Sequence, residues 1–552
     1  MKRNSLRAWL VSMVAVAAAG CGTVGAVGDE GETDSDETTP GADEVASDQA
    51  ALRLKKRSRI KLPKQSPVAP VAPSAVDCTH VGSGTDYQVG PGRAYENLGD
   101  VPFESLVAGD TVRVFWREQA YHEKLMIGGV GTQEQPIRIC GVAGPEGQLP
   151  VIDGQNATTR PTLDFPFNGH QVRGLIVVGH PNAKPYAEQP AHILIEALEI
   201  RNASPEMTFT DKAGQVQSYA NSAAGIFIQR ADDLTIRGCH IHDNNNGIFG
   251  GTGGGVDMTE RVLVEGNRIL QNGSLTDWYH HNTYIEANGV TYQYNYMGEP
   301  RAGQYGVLGA NIKERSAGVV IRYNWIEDGG HLIDLVDAQE AKADTVAMPS
   351  FHETYVYGNV MIRSDMPGGS MIHYGGDSGL FGDYRKGTLH FYQNTLVVKN
   401  QGASDWDTVE VFELSTNEEQ LQATNNIFYS AVEPTDVRQV VMLGARDGQT
   451  AGVASFENNW VGAGWGPVHA GNNTVLAQVS GFDVSMSGAD PGFTSAATDA
   501  YTLASGAMVS SAGADMATLV PAAQAVTMEY VKHQGGKPRP VLAAPSLGAM
   551  TQ

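Results

Sequence analysis

Basic residues are scarce in this chain. It has 552 residues, with 38 Lys and Arg against 61 Asp and Glu, for a formal net charge of -23. Phosphate backbones need a basic face, so nucleic acid is excluded as a partner. Part of the acid sits in one segment near the N-terminus, so the rest of the chain is less acidic than the total. Cysteine is nearly absent, and the four present have no zinc-site spacing. No stretch is long and apolar enough for a membrane helix. Charged residues make up only 18% of the chain, whereas glycines number 65. That balance disfavours long charged helices and favours an all-β repeat with many turns. The length is too great for one small compact core, but a solenoid avoids that limit because each repeat packs only on its neighbours.

The first residues read as a targeting segment. Lys2, Arg3 and Arg7 precede an apolar run from Ala8 to Ala19, and the run ends in Ala18-Ala19-Gly20-Cys21. Small residues ahead of a cysteine resemble a bacterial lipobox, although Ala18 stands where leucine is usual. The resemblance implies lipidation of Cys21, a membrane attachment through lipid alone, and a place in the cell envelope or outside the cell, on the outer membrane. From Gly22 to Ala51 the chain is acidic and poor in large apolar residues, too little to offset the entropy of ordering. It reverses sign in RLKKRSRIKLPK, Arg53 to Lys64, and then stiffens in PVAPVAP. The basic run can touch anionic envelope polymer or lipid headgroups, or can simply be solvated. With Cys21 lipidated, Cys78 and Cys140 remain near the start of the body, where an oxidising compartment permits a disulfide. Cys239 lies at a core-like position and reads as a small buried apolar residue.

The main signal is a repeat. Short alternating segments close on asparagine in RVLVEGN, VTYQYN, VVIRYN, YVYGN, LHFYQN, LQATNN and ASFENN. Those residues are Asn267, Asn295, Asn324, Asn359, Asn394, Asn426 and Asn459, with steps of 28, 29, 35, 35, 32 and 33 residues. LTIRGC places Cys239 in the same slot one unit earlier. β-branched and aromatic alternation rules out the helical repeat families. At a bend between strands an asparagine amide can bond backbone groups and the asparagine of the next coil, since coils stack about 4.8 Å apart.

AGIFIQRADDLTIRGCHIHDNNNGIFG, Ala224 to Gly250, resembles the coil of the pectate-lyase-like superfamily of right-handed parallel β-helices. DTVRVFW, GTQEQPIRICGV and LPVIDG resemble its first coils and cap, and DPGFTSAATDAYTLASGA resembles its last coil. The resemblance covers roughly Asp86 to Ala514. It implies an all-β fold, a right-handed parallel β-helix solenoid with an N-terminal capping segment. The chain then divides into a signal at 1–21, a linker at 22–75, the β-helix at 76–535 and a tail at 536–552. That fold hosts lyases, hydrolases, esterases and inert adhesins, so activity must be argued from the site.

Laying each coil on the next from the asparagine slot predicts an outward strip. Tyr284 and Glu286 come from one coil and Lys313 and Arg315 from the next, followed by Asp334, Asp337 and His373, with His280 and His281 nearby. Glu314 falls inward. In the superfamily the outer face of this strand forms the carbohydrate groove. Such a strip has parts for β-elimination on a uronate polymer: a cation against the carboxylate, a base, and an acid for the leaving oxygen. Arg315 suits charge neutralisation, and Lys313 crowded by Arg315 suits the base. Tyr284 or His281 suits the second proton transfer, while Glu286, His280, Asp334, Asp337 and His373 would hold substrate. NIKERSAGVVIRYN resembles the strand of chondroitinase B and related alginate lyases that carries a catalytic lysine. Arg315 stands nearest that slot, and nothing matches their second arginine or calcium acids.

Two other classes compete with a lyase. Asp334, Asp337 and Glu286 supply carboxylates for a glycoside hydrolase, and a surface ladder of ion pairs would fit a glycan-binding protein without catalysis. Asp243-Asn244-Asn245-Asn246 resembles a calcium loop, although turns favour the same residues. No cofactor is firmly implied, and calcium alone is a candidate. A monomer acting on polysaccharide is expected.

Mass spectrometry of the membrane fraction should find Cys21 as the modified N-terminal residue of the mature protein. An unmodified N-terminus at another position would remove the lipid anchor.

Overall fold

In the computed structural model the described residues are 76–552, except 166–167, 304–305, 308, 365–369, 400–407, 432–438 and 534. Cys21 and the linker lie outside them.

Three long parallel sheets run the length of the body. The first has 13 strands, from Asp86–Val89 to Gln478–Ser480, and the second has 11, from Leu125–Ile127 to Gly466–Val468. The third also has 11, from Val151–Asp153 to Met486–Gly488. Successive coils add one strand to each sheet, so the chain winds as a solenoid. Alternation in the sequence accounts for the core. In Asp232–Arg237, Leu234 and Ile236 are buried while Thr235 and Arg237 face out. Ile193, Leu234, Val262, Val290 and Val319 stack in one inward line from coil to coil.

The predicted asparagine line exists and is fully buried from Asn267 to Asn459. Each amide Nδ2 donates to the Oδ1 of the next asparagine, at 2.9 to 3.2 Å. The same Oδ1 also accepts the backbone N–H of the preceding asparagine, as at Asn295 to Asn324, 2.9 Å. The residue before each rung takes a left-handed conformation, for example Gly266, Tyr294, Tyr323, Gly358 and Gln393. That conformation turns the chain sharply from the first sheet to the third and strands backbone groups inside, which the asparagine then satisfies.

A second ladder went unseen in the sequence. Asn244, Asn272, Asn282 and Asn311 bond in series at 3.0, 3.0 and 2.7 Å. It uses part of the Asp243–Asn246 run. Asn246 Oδ1 takes the His281 N–H at 2.9 Å, and Asn245 Nδ2 donates to the Asn221 carbonyl. These asparagines build the solenoid wall instead of a calcium loop.

Cys78 and Cys140 are joined in a disulfide with Cα atoms 5.6 Å apart, tying the segment before the first strand to Ile137–Val142. Cys239 is free and buried. The boundary expected at 535 is not one. Chain beyond the last coil folds back along the solenoid and covers it. Tyr501, Tyr530 and Leu547 pack on Trp325 and Trp460, and Met516 and Met528 cap a stack of Tyr294, Tyr323, Tyr357 and Tyr392. Residues 536–552 belong to this cover, since Gly536–Pro538 pairs with Met528–Tyr530 and Leu547 and Ala549 are wholly buried.

Asn324→Ala should lose about 3 kcal/mol or more of stability. It strands the backbone N–H and the side-chain amide of Asn295 inside the wall, each costing about 1–3 kcal/mol, and takes a donor from the Tyr292 and Arg322 carbonyls, while Asn359 Oδ1 keeps the backbone N–H at position 324. Urea unfolding measures it, and a loss under about 0.5 kcal/mol would show that the ladder is not structural.

Candidate active site

The site grows from one register line on the outer face of the second sheet. Cross-strand pairing sets Phe249 beside Tyr284, Tyr284 beside Lys313, Lys313 beside Asp334, Asp334 beside His373, and His373 beside Glu413. Each step is one coil, about 4.8 Å. The aromatic end is stacked, Phe249 on Tyr284 at 4.8 Å between ring centroids. The polar end is a chain of ion pairs.

Lys313 Nζ donates to Asp334 Oδ2 and to Asp377 Oδ2, both at 2.7 Å. Arg315 Nη2 lies 3.3 and 3.4 Å from the two oxygens of Asp377, and its Nη1 donates to the Asp337 carbonyl at 2.7 Å. Asp377 therefore straddles the two cations. It comes from the segment leaving the strand Ser370–Tyr374. His373 Nδ1 bonds Asp334 Oδ1 at 2.8 Å. His331 Nδ1 bonds the Ser370 carbonyl at 2.7 Å, which makes that nitrogen the N–H and leaves Nε2 with the lone pair.

Burial and neighbours set the protonation states. Burial pushes the Asp334 carboxyl up, but Lys313, His331 and His373 more than reverse it, so it stays well below the usual carboxylate range. Asp377 is likewise pushed up by burial and pulled below its ordinary value by Lys313 and Arg315. Glu413 is lowered too, burial being overcome by His373, His331 and Arg446. Burial lowers His331 and strongly lowers His281, which keeps both neutral. It strongly raises the Tyr284 phenol, which keeps its proton. His373 goes the other way, with Glu413 and Asp334 outweighing burial to raise it.

Tyr284, Lys313, Arg315, Asp334 and His373 thus converge. His281 stands beside them, its ring 6.1 Å from that of Tyr284, and its Nδ1 accepts the Ala310 N–H at 2.9 Å. Three expected substrate ligands are placed otherwise. Glu286 is wholly buried, and its carboxylate accepts the N–H groups of Gln339, Glu340 and Ala341 at 2.8 to 2.9 Å, so it anchors a loop. Asp337 is buried as well and accepts the Asp377 N–H at 2.9 Å, holding the segment that carries Asp377. His280 turns away onto Asp277, 2.7 Å from its Oδ1. Exposed Trp278 and Tyr279 precede the strand Thr283–Ile285, and exposed Leu380 and Phe381 follow Ser370–Tyr374. Because the strands are parallel, apolar flanks stand at both edges of the strip.

A family model described as a right-handed β-helix region matches residues 191–359, the coils that supply Tyr284, Lys313, Arg315 and Asp334. With the three parallel sheets this decides the class. The body is a right-handed parallel β-helix. Solved structures similar to this β-helix include a pectate lyase, with TM-score 0.44 and 11% identity over 85% of this chain and 96% of that one. The lacto-N-biosidase from Eubacterium ramulus gives 0.38 and 12%, covering 73% and 67%. An alginate lyase from Paenibacillus sp. gives 0.29 and 12%, covering 68% and 93%. Likeness at these identities is one of fold. No curated protein sequence matches.

Asp377, His331, Glu413 and Arg446 escaped the sequence. Glu413 lies on the register line and was within reach of the same stacking argument. Asp377 and Arg446 lie in connections after strands, where strand alternation says nothing.

Behind the strip, Glu314 points into the β-helix as expected. Tyr292 Oη donates to it at 2.6 Å, yet burial raises its carboxyl to about 7. The folded protein then keeps a proton that the unfolded chain releases above about 4.5. This group's contribution to stability is complete below that pH and declines as pH climbs towards 7, by on the order of 3 kcal/mol. Glu314→Gln should flatten that decline in denaturant unfolding between about pH 5 and about pH 8. An identical slope in both proteins would mean that the carboxyl ionises freely.

Proposed function

We propose that this β-helix is an exported enzyme, anchored through Cys21, that cleaves a uronate-containing polysaccharide by β-elimination. The observation that carries it is the seat of Asp377. One carboxylate sits across Lys313 and Arg315, so the two cations are spaced to grip a carboxylate. A uronate group taking that seat would place its acidic C–H in the strip, with both charges on the oxygens where negative charge develops.

The other roles follow from protonation. Lys313 donates to two carboxylates, which makes it a cation of the seat and not the base expected of it. His331 is neutral and offers an Nε2 lone pair, so it is the better base. Tyr284 keeps its phenolic proton and can pass it to the leaving oxygen. The exposed aromatics in the connections flanking these strands suit sugar faces. Hydrolysis by paired carboxyls needs one of them to hold a proton. Asp334, Asp377 and Glu413 on the ionic row are held ionised, and Glu340, which burial and Glu286 raise, lies at the Tyr284 hydroxyl away from them.

Absorbance near 235 nm should rise with a panel of acidic glycans, reporting the new double bond. Arg315→Ala should lower that rate on the order of 100-fold, read on protein that circular dichroism shows to be folded, since the loss of a buried partner for Asp337 and Asp377 also lowers melting. Arg315→Lys should recover part of it, a point charge replacing a planar fork. Equal turnover in the wild type and Arg315→Ala would end the proposal.

A further inference from the structure

A second arrangement lies at the polar end of the same strip, and β-elimination does not use it. Asp334, His373 and Ser415 come from three consecutive coils. Asp334 Oδ1 is 2.8 Å from His373 Nδ1, and His373 Nε2 is 2.9 Å from Ser415 Oγ. Asp334 and His373 are buried, while Ser415, directly after the strand Thr408–Leu414, is partly exposed. The acid is thus sheltered and the imidazole is locked. In the neutral imidazole, with Nδ1–H donated to Asp334, Nε2 is the acceptor for the serine proton, so the neutral ring is the active form. Arg446 Nη1 approaches the same Nε2 at 3.4 Å while bonding Glu413 Oε1 at 3.0 Å, and Glu413 Oε1 is itself 3.6 Å from Nε2. Ser415 Oγ also accepts the Gly376 N–H at 3.0 Å and can donate to the Gly376 carbonyl at 3.1 Å, the longer alternative to His373 Nε2. Gly375 beside it has no Cβ, and one built there would fill the space of the hydroxyl.

We propose that Asp334, His373 and Ser415 form a nucleophilic triad that hydrolyses O-acyl esters on sugar hydroxyls of the bound polysaccharide. The roles are those of a serine hydrolase, which geometry and not chain order defines. Ser415 Oγ attacks the acyl carbon as its proton passes to His373 Nε2. The C–O bond to the sugar breaks, and the sugar oxygen takes that proton and leaves as the alcohol. Water then attacks the acyl-serine, giving a proton to His373. The bond between the acyl carbon and Ser415 Oγ breaks, Oγ recovers the proton from His373, and the carboxylic acid departs. Asp334 holds the imidazole and offsets its charge while it is protonated. Arg446, held between His373 Nε2 and Glu413, supplies positive charge beside the reacting groups. No metal or redox partner is needed. The Lys313–Arg315 seat adjoins the triad through Asp334, so an acylated acidic glycan is the substrate class that fits both.

The full mature protein should release acetate from an O-acetylated uronate polymer and hydrolyse p-nitrophenyl acetate. A fluorophosphonate probe should label it once, on the peptide containing Ser415. Ser415→Ala should abolish label and hydrolysis while melting like the wild type, and His373→Ala should lower both at least 100-fold. Wild-type labelling decides the matter even where a variant fails to fold. No label at Ser415 together with no acetate release would overturn the triad, as would full hydrolysis by Ser415→Ala. Ester hydrolysis produces no absorbance near 235 nm, so its failure and the failure of β-elimination are read separately.

Discussion

Everything in this protein depends on the register between coils. A parallel stack has no local turn to fix which residue lies over which, and a slip of one position would exchange the two faces of a strand. Here the asparagine ladder sets it. Each rung satisfies both the backbone N–H and the side-chain amide of the preceding asparagine with a single oxygen, so a shifted coil would bury unmatched donors at several places together. The left-handed residue before each rung makes the bend that creates those donors. Bend and ladder therefore require each other.

The outward strip inherits this precision. Lys313, Asp334 and His373 meet because three inward neighbours, Ile312, Ile333 and Ile372, are held in line by the same pairing. A charged cluster this buried is costly unless its members are paired. Pairing is nearly complete: Lys313 and Arg315 share Asp377, Asp334 holds His373, and Glu413 meets Arg446. The strip is thus rigid and close to neutral before any substrate arrives. It is preorganised for chemistry, and a substrate carboxylate must exchange with one already present.

Connections between coils supply what strands cannot. The segment after Asp337 folds over Glu286, and the one after Tyr374 delivers Asp377 to the cations. The chain after the last coil shields the third sheet and the outer tyrosines, leaving the second sheet as the long face with a buried ionic row.

What the sequence by itself determined is what repeats. Alternation and a period near thirty residues specify the coil, its inward and outward sides and the asparagine line. From these follow the order Tyr284, Lys313, Asp334 and His373 on one face, and the inward turn of Glu314. Those are consequences of consecutive residues and of one stacking rule. Only the tertiary structure decided the partners. Glu286 was assigned the right coil but the wrong neighbour, because a returning loop takes its carboxylate. Asp377, Arg446 and Ser415 lie outside the strand alternation, and their connections differ in length from coil to coil. Which carboxylate meets which cation depends on a few ångströms of loop path, and the repeat carries no record of that path.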